Sequence, residues 1–360
     1  MRTAIIGCGP MGPSRGGGHS ISYAHARAMR ATEIDLVAAA SRSEKNIADF
    51  LAEFPGLRGY QDYRKMLAEE RPEFVSICAF PPDREAMVAA ALEAGAKVLW
   101  IEKPFAISMG AAHRMIQAAE AHGARLFVNF QRRFGLPFEW VKAAVGEGRI
   151  GNLIGVQISQ PGNEIINFGP HLIDAALNVM NVPFDCQPVR VFGAVEWSDA
   201  LYQGVPVESQ LAGTVHFSDG TRMVVEAGKH QAARVPVIRF DGEHGFVELR
   251  LSPLDSERGI ARGCFKGSLE VLETEENFHH GATDKNLYVD RALKDILRAV
   301  KTGEPSRLDA STVLPGLEIL LALFESANQR EMLSLPLKQQ ETPFVRLCET
   351  VRTSKGLQQR

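Results

Sequence analysis

The 360 residues contain no uninterrupted apolar stretch near the ~18 that a membrane span needs. They contain no basic tract, internal repeat or low-complexity segment either. A formal charge of −3 without a Lys/Arg-rich run excludes the electrostatic footprint of a nucleic-acid binder. It also excludes a helix laid on an anionic membrane. Cysteine is scarce and odd in number: Cys8, Cys78, Cys186, Cys264 and Cys348 are scattered. No two have the short spacing of a metal knuckle, so no metal site is expected. The thiols read as reduced, which points to a cytoplasmic protein. Met1 to Gly7 enters a strand at once, with no signal-peptide pattern. What is present is an ordinary soluble profile, 45% hydrophobic and 23% charged, in a chain long enough for two domains.

The first half alternates short apolar runs with helical spacing. Thr3–Ile6, Ile34–Ala40, Phe74–Cys78, Val98–Ile101 and Arg125–Val128 read as strands. Tyr23–Arg30, Lys45–Phe54, Tyr63–Glu70, Arg84–Gly95 and Met109–His122 read as helices. That alternation predicts an α/β domain, a doubly wound parallel sheet covered on both faces, over 1–129. A second domain is expected over 130–337 and a peripheral arm over 338–360. In the second domain, Leu153–Ser159, Val189–Glu196, Gln210–Phe217, Arg222–Ala227, Val237–Asp241 and Gly245–Leu251 look like strands. Asp284–Thr302 and Thr312–Arg330 are amphipathic helices.

Gly7-Cys8-Gly9-Pro10-Met11-Gly12 matches G-x-G-x-x-G, with a strand before it and a helix after. Such glycines permit the tight turn and the close approach of backbone to a pyrophosphate. Pro13 to His19 intervenes before the helix and departs from the compact form of the motif. The second strand ends in Ala40-Ser41-Arg42-Ser43, with no carboxylate until Glu44. Ser41 and Arg42 can donate to a ribose 2′-phosphate, which favours NADP over NAD. The other possibility is that Arg42 only stacks on adenine and the site takes either cofactor.

Lys97 to Ile101 is a buried-looking run that leads into Glu102-Lys103-Pro104. With the glycine loop, Tyr23 to Arg27, Asn129 to Phe134, Gly148 to Gly151 and Asn167 to Asp174, that triplet makes the chain similar to the Gfo/Idh/MocA family of sugar and polyol oxidoreductases. The resemblance covers about residues 2–335. It implies a Rossmann domain followed by an α+β domain on a large, mostly antiparallel open sheet. An open face on such a sheet suggests packing against another subunit, so a homodimer or homotetramer is expected.

Oxidation of a secondary alcohol needs a base for the hydroxyl proton and a cation for the developing alkoxide. The resemblance assigns Lys103 and His171 as the catalytic residues. Gly169-Pro170 reads as the start of the helix that bears His171. Asp174, three residues on, either orients His171 or braces the helix. Asn167 stands where inositol-dehydrogenase-like relatives have an aspartate of the proton relay; it can read a substrate hydroxyl but cannot hold that charge. Asn163 adds polarity for hydroxyl groups. Arg132 either reaches substrate or cofactor or forms a surface ion pair. Ala79-Phe80-Pro81 replaces the family's Thr-Pro-Asn, so cofactor contact there would come from backbone; Glu102 also belongs to the cofactor side.

The expected function is therefore hydride transfer between NAD(P) and a ring secondary hydroxyl or ketone of a small carbohydrate, a sugar, cyclitol or glycoside. Two alternatives remain open at this level. One is an enzyme that retains its cofactor and oxidises transiently for elimination or epimerisation. The other is a dinucleotide-binding regulator without turnover.

Overall fold

The computed structural model describes residues 1–9, 21–32, 34–79, 81–162, 165–182, 185–202, 205–228, 235–251, 260–272, 287–338 and 341. Pro10, Met11, Gly12, Phe80 and Asn163 lie outside the described residues.

The elements of the first half are β1 (Arg2–Ile6), α1 (Ile21–Arg30), β2 (Asp35–Ala40), α2 (Glu44–Glu53), β3 (Arg58–Tyr60), α3 (Tyr63–Glu70), β4 (Phe74–Ile77), α4 (Arg84–Glu93), β5 (Val98–Glu102), α5 (Met109–Ala121) and β6 (Arg125–Asn129). Every residue of β4 and β5 is buried, as expected of central parallel strands covered on both faces. The six strands lie in the order β3-β2-β1-β4-β5-β6, all parallel. The order reverses between β1 and β4, the point at which such sheets bind dinucleotides. Local chemistry starts the helices. Ser43 accepts the Asn46 N–H at the head of α2, and Asp62 accepts the Arg64 N–H at the head of α3.

The rest of the chain gives α6 (Leu136–Gly146), β7 (Leu153–Pro161), α7 (Ile165–Val179), β8 (Pro188–Tyr202), β9 (Val205–Phe217), β10 (Arg222–Gly228), β11 (Val237–Gly242), β12 (Gly245–Arg250), β13 (Ile260–Phe265), β14 (Ser268–Val271), α8 (Leu287–Thr302), α9 (Ala310–Gln329) and β15 (Leu333–Ser334). Strands β7 to β15 form one sheet in the order β14-β13-β12-β11-β7-β10-β9-β8-β15. All its pairs are antiparallel except β10 with β7. Helices α6 and α7 contact one face. The other face is open: the register aligns Thr214, Val224, Gln157, Arg239, Glu248 and Arg262 in one row across it.

The α/β architecture is the one the resemblance implies, with three departures in detail. Helix α7 starts at Ile165, so Pro170 lies inside it and not in its first turn. Helix α9 is long and apolar enough to cross a membrane by length and composition, with 61% of that window buried. A search for uninterrupted apolar runs overlooks it because Glu318 and Glu325 break the run. Finally, the chain divides into two compact units, and α8 belongs with the first, beside 1–106 and 111–131. Its buried face of Tyr288, Val289, Ala292, Leu293 and Ile296 packs in a unit that includes α1 and β6. Arg125 fastens its far end, donating to the carbonyls of Ala299 (2.6 Å) and Glu304 (3.0 Å) and to the Asp309 carboxylate (2.8 Å). The linear boundary at 129 departs from this division.

Candidate active site

In the first unit, the expected cofactor residues that are described gather at the carboxyl ends of the parallel strands. Gly7 follows β1 with a φ of +99°. A Cβ there would come within 2.7 Å of the Ala79 nitrogen and 2.8 Å of the Cys78 carbonyl carbon. Only glycine allows the β1 and β4 ends to approach this closely. Half-buried Gly9 continues the loop. Ser41, after β2, donates its hydroxyl to the Cys8 carbonyl at 3.2 Å, so it ties the glycine loop to β2. Arg42 is different: its side chain is 86% exposed and, among the described residues, makes a loose 3.7 Å approach to the Asp83 carboxylate. Its guanidinium is available to an anion. Pro81 is buried at the start of a short 3-10 turn before α4.

Lys103 directly follows β5, joined to Pro104 by a cis peptide bond. Both neighbours of Lys103 are held from below. The Glu102 carboxylate, 5% exposed, accepts the Asn129 side-chain amide at 2.5 Å. It also lies 3.2 Å from Nε2 of His25, a fully buried residue of α1. Burial pushes the Glu102 pKa up, but the His25 hydrogen bond and charge, the Lys103 charge and the Asn129 hydrogen bond together hold it below the usual carboxylate range. Past Lys103, the buried Arg84 guanidinium donates to the carbonyls of Pro104, Phe105 (3.0 Å) and Ala79 (2.6 Å). Burial lowers the Arg84 pKa to about 10, with Glu102 and Cys78 opposing the shift. Arg84 thus links the ends of β4 and β5 by neutral acceptors alone.

In the second unit, α7 presents Asn167, His171 and Asp174 along one side, at spacings of four and three residues. The helix begins where it does because the buried Glu208 carboxylate of β9 accepts the Ile165 N–H, placing a negative charge at the helix N-terminus. Asp174 is engaged by Arg133, whose Nε reaches Oδ2 at 2.9 Å and whose Nη2 reaches Oδ1 at 2.5 Å. This buried bidentate pair ties α7 to the turn that carries Arg133. Arg132 is buried, not a surface ion-pair residue, and stacks its guanidinium 4.4 Å from the Phe168 ring centroid. The Phe168 ring in turn meets His171 edge-on at 6.3 Å. Arg132, Phe168 and His171 therefore form one contiguous group, with half-buried Asn167 one turn earlier.

Sequence reasoning gave no role to His25, Arg84, Arg133 or Glu208. His25 lies in the Tyr23 to Arg27 segment that contributed to the resemblance. Arg133 lies in the Asn129 to Phe134 segment that also contributed to it. For Arg84 and Glu208 nothing local signals a role, because Arg84 reaches Pro104 and Phe105 and Glu208 reaches Ile165 across the fold.

Residues 1–130 match the model of the oxidoreductase family with an NAD-binding Rossmann fold, GFO_IDH_MocA. D-glucoside 3-dehydrogenase of Escherichia coli (strain K12) is 28% identical over 250 residues, 61% of this chain and 68% of that protein. Inositol 2-dehydrogenase of Pseudomonas syringae pv. syringae (strain B728a) is 30% identical over 152 residues, 42% of this chain and 43% of that protein. The chain thus matches under half the length of the second relative. Among solved structures, an oxidoreductase from Agrobacterium radiobacter in complex with NAD+, L-tartaric acid and magnesium matches with a TM-score of 0.76. That match covers 92% of this chain and 98% of that one at 17% identity, a likeness of fold. Over its first 130 residues the chain is thus similar to the Gfo/Idh/MocA oxidoreductases and matches their NAD-binding Rossmann model.

Proposed function

We propose that the chain is an NAD(P)-dependent dehydrogenase or reductase acting on a ring secondary hydroxyl or ketone of a sugar, cyclitol or glycoside. The observation that carries this is Lys103: an ammonium at the carboxyl end of a central parallel strand, with the residues on either side fixed by buried partners. The close approach of Gly7 to Ala79 supports a dinucleotide cradle at the switch point of the sheet. A bound nicotinamide supplies the hydride acceptor or donor. Lys103 donates a hydrogen bond to the substrate oxygen and offsets its negative charge. The His171 imidazole holds the hydroxyl proton, and Asn167 and Asn163 bond neighbouring hydroxyl groups. Arg132 keeps the Phe168 ring against His171. The exposure of Arg42 supports binding of a 2′-phosphate, and hence NADP alongside NAD.

The relatives named as glucoside and inositol dehydrogenases support this substrate class. The open face of the second sheet, with exposed Phe192 and Val224, supports a homodimer or homotetramer.

The test is fluorescence titration of cofactor-stripped protein with NADH and NADPH, followed by a panel of sugars, inositols and glycosides monitored at the nicotinamide absorbance. Saturable binding with turnover of a polyol is expected. Binding with no turnover of any panel member would sink the proposed reaction.

A further inference from the structure

Three strands of the first sheet end around one side chain of α1. The His25 imidazole lies flat on the Trp100 indole, with ring centroids 3.6 Å apart and 12° between the planes. Its Nδ1 is 2.8 Å from the Ser76 hydroxyl and 3.7 Å from the Cys78 sulfur. Its Nε2 faces Glu102 and stands 3.0 Å from the Asn129 amide nitrogen. Thus β4 supplies Ser76, β5 supplies Trp100 and Glu102, β6 supplies Asn129, and Cys78 follows β4. The titratable groups acting on the imidazole are Cys78 and Glu102; Lys103 and Arg84 act on Glu102 in turn.

A buried carboxylate facing a buried imidazole needs an explanation. Replacing such a pair with apolar side chains is often neutral or stabilising, so stability alone gives little reason to keep it. The pair adjoins Lys103, on which the proposed chemistry depends. With both rings and both carboxylate neighbours packed, the Glu102 side chain has one place to be, and the backbone of the next residue follows it. In the charged form His25 donates from Nδ1 to Ser76 and from Nε2 to Glu102. In the neutral form one of these donors is missing.

We propose that His25 is a positioning residue for Lys103: its imidazolium fixes the Glu102 carboxylate, which fixes the start of the Lys103 segment, while Arg84 holds the segment's other end. Loss of the proton takes the positive charge away from Glu102, leaves the Asn129 amide to hold it, and loosens Lys103. This rests on the reading of Lys103 as the catalytic lysine. Burial pushes the His25 pKa down, but Cys78 and Glu102 outweigh it and raise it to about 9. The charged form is therefore present at neutral pH, and it is lost as pH rises through about 9.

The experiment has a readout apart from turnover. An imidazolium stacked on indole quenches its fluorescence. In the intact wild-type protein, with and without NADH, the Trp100 component of the emission is expected to rise with a midpoint near pH 9. The step should vanish in Trp100→Phe. Emission with no Trp100-dependent step between about pH 7 and pH 10, a range above the unshifted value of about 6.5, would overturn the proposal. In turnover, His25→Gln is expected to lower kcat by about 10²-fold, as small misplacements do, with KM little changed. The wild-type alkaline limb near pH 9 should disappear. A merely structural histidine would lower the melting temperature and leave kcat and the limb in place. Inactive Lys103→Ala beside a His25→Gln variant with wild-type kcat and limb overturns the positioning role alone. Fully active Lys103→Ala overturns both that role and the reading on which it rests.

Discussion

Lys103 and Arg42 are distinguished by what each substitution spares. Lys103→Ala removes the cation beside the reacting oxygen, so kcat should fall by about 10²–10⁴-fold. Cofactor affinity, measured by NADH fluorescence, should barely move; full activity would refute the assignment. Arg42→Ala removes an exposed guanidinium that touches only a 2′-phosphate in the proposed complex. A hydrogen bond to a charged group contributes about 1.5–3 kcal/mol, so NADPH should bind at least about tenfold more weakly while NADH binding is unchanged. Equal losses for both cofactors would remove the 2′-phosphate role. At this scale the sequence was legible where chemistry is written in consecutive residues, as at Gly7 and Glu102-Lys103-Pro104. It was silent where a side chain's job is set by a distant partner. Ser41 looks like a phosphate ligand in isolation, yet its hydroxyl is given to the Cys8 carbonyl.

At the scale of the element, the Arg133–Asp174 pair joins the 3-10 turn after β6 to the middle of α7. Asp174→Asn leaves a buried guanidinium without its countercharge, which should cost about 3–5 kcal/mol of stability. Thermal melts of wild type and variant measure this, and an unchanged melting temperature would show that the pair contributes nothing. The start of α7 illustrates why element boundaries escape a sequence reading. Pro170 has the look of a first-turn proline, but the helix begins five residues earlier. The Ile165 N–H finds its acceptor on Glu208, a strand residue remote in sequence. Strands with strong β-branched runs, such as β4 and β5, declared themselves. The short β3, β14 and β15 did not, since two to four residues carry no measurable period, and the six-residue β13 with Gly263 inside it was not read as a strand either.

At the scale of the whole molecule, the open sheet face is the feature with an assembly consequence. Its row across β9 to β13 has an ionic centre, where Glu248 sits between Arg239 and Arg262 at 3.7 and 2.7 Å, and it exposes Val224. In a symmetric contact, Val224→Glu would place like charges together. It is expected to shift sedimentation toward the monomer without changing the monomer's secondary structure. A wild-type chain that sediments as a monomer at micromolar concentration would remove this expectation. Strand alternation in the second half was visible in the sequence, which is why a half-covered sheet was anticipated. The strand order, and the membership of α8 in the first unit, were not. A helix's apolar stripe says that it is covered but not by what.

That last feature sets a timetable. The strands β1 to β6 are made before the second sheet, and all of that sheet except β15 is made before α8 appears. At about 5–20 residues per second, the surface that α8 covers waits roughly ten to thirty seconds after β6 is complete. During that interval the surface that α8 covers stays exposed. A fragment cut at residue 130, where the family match ends, would keep that surface exposed permanently.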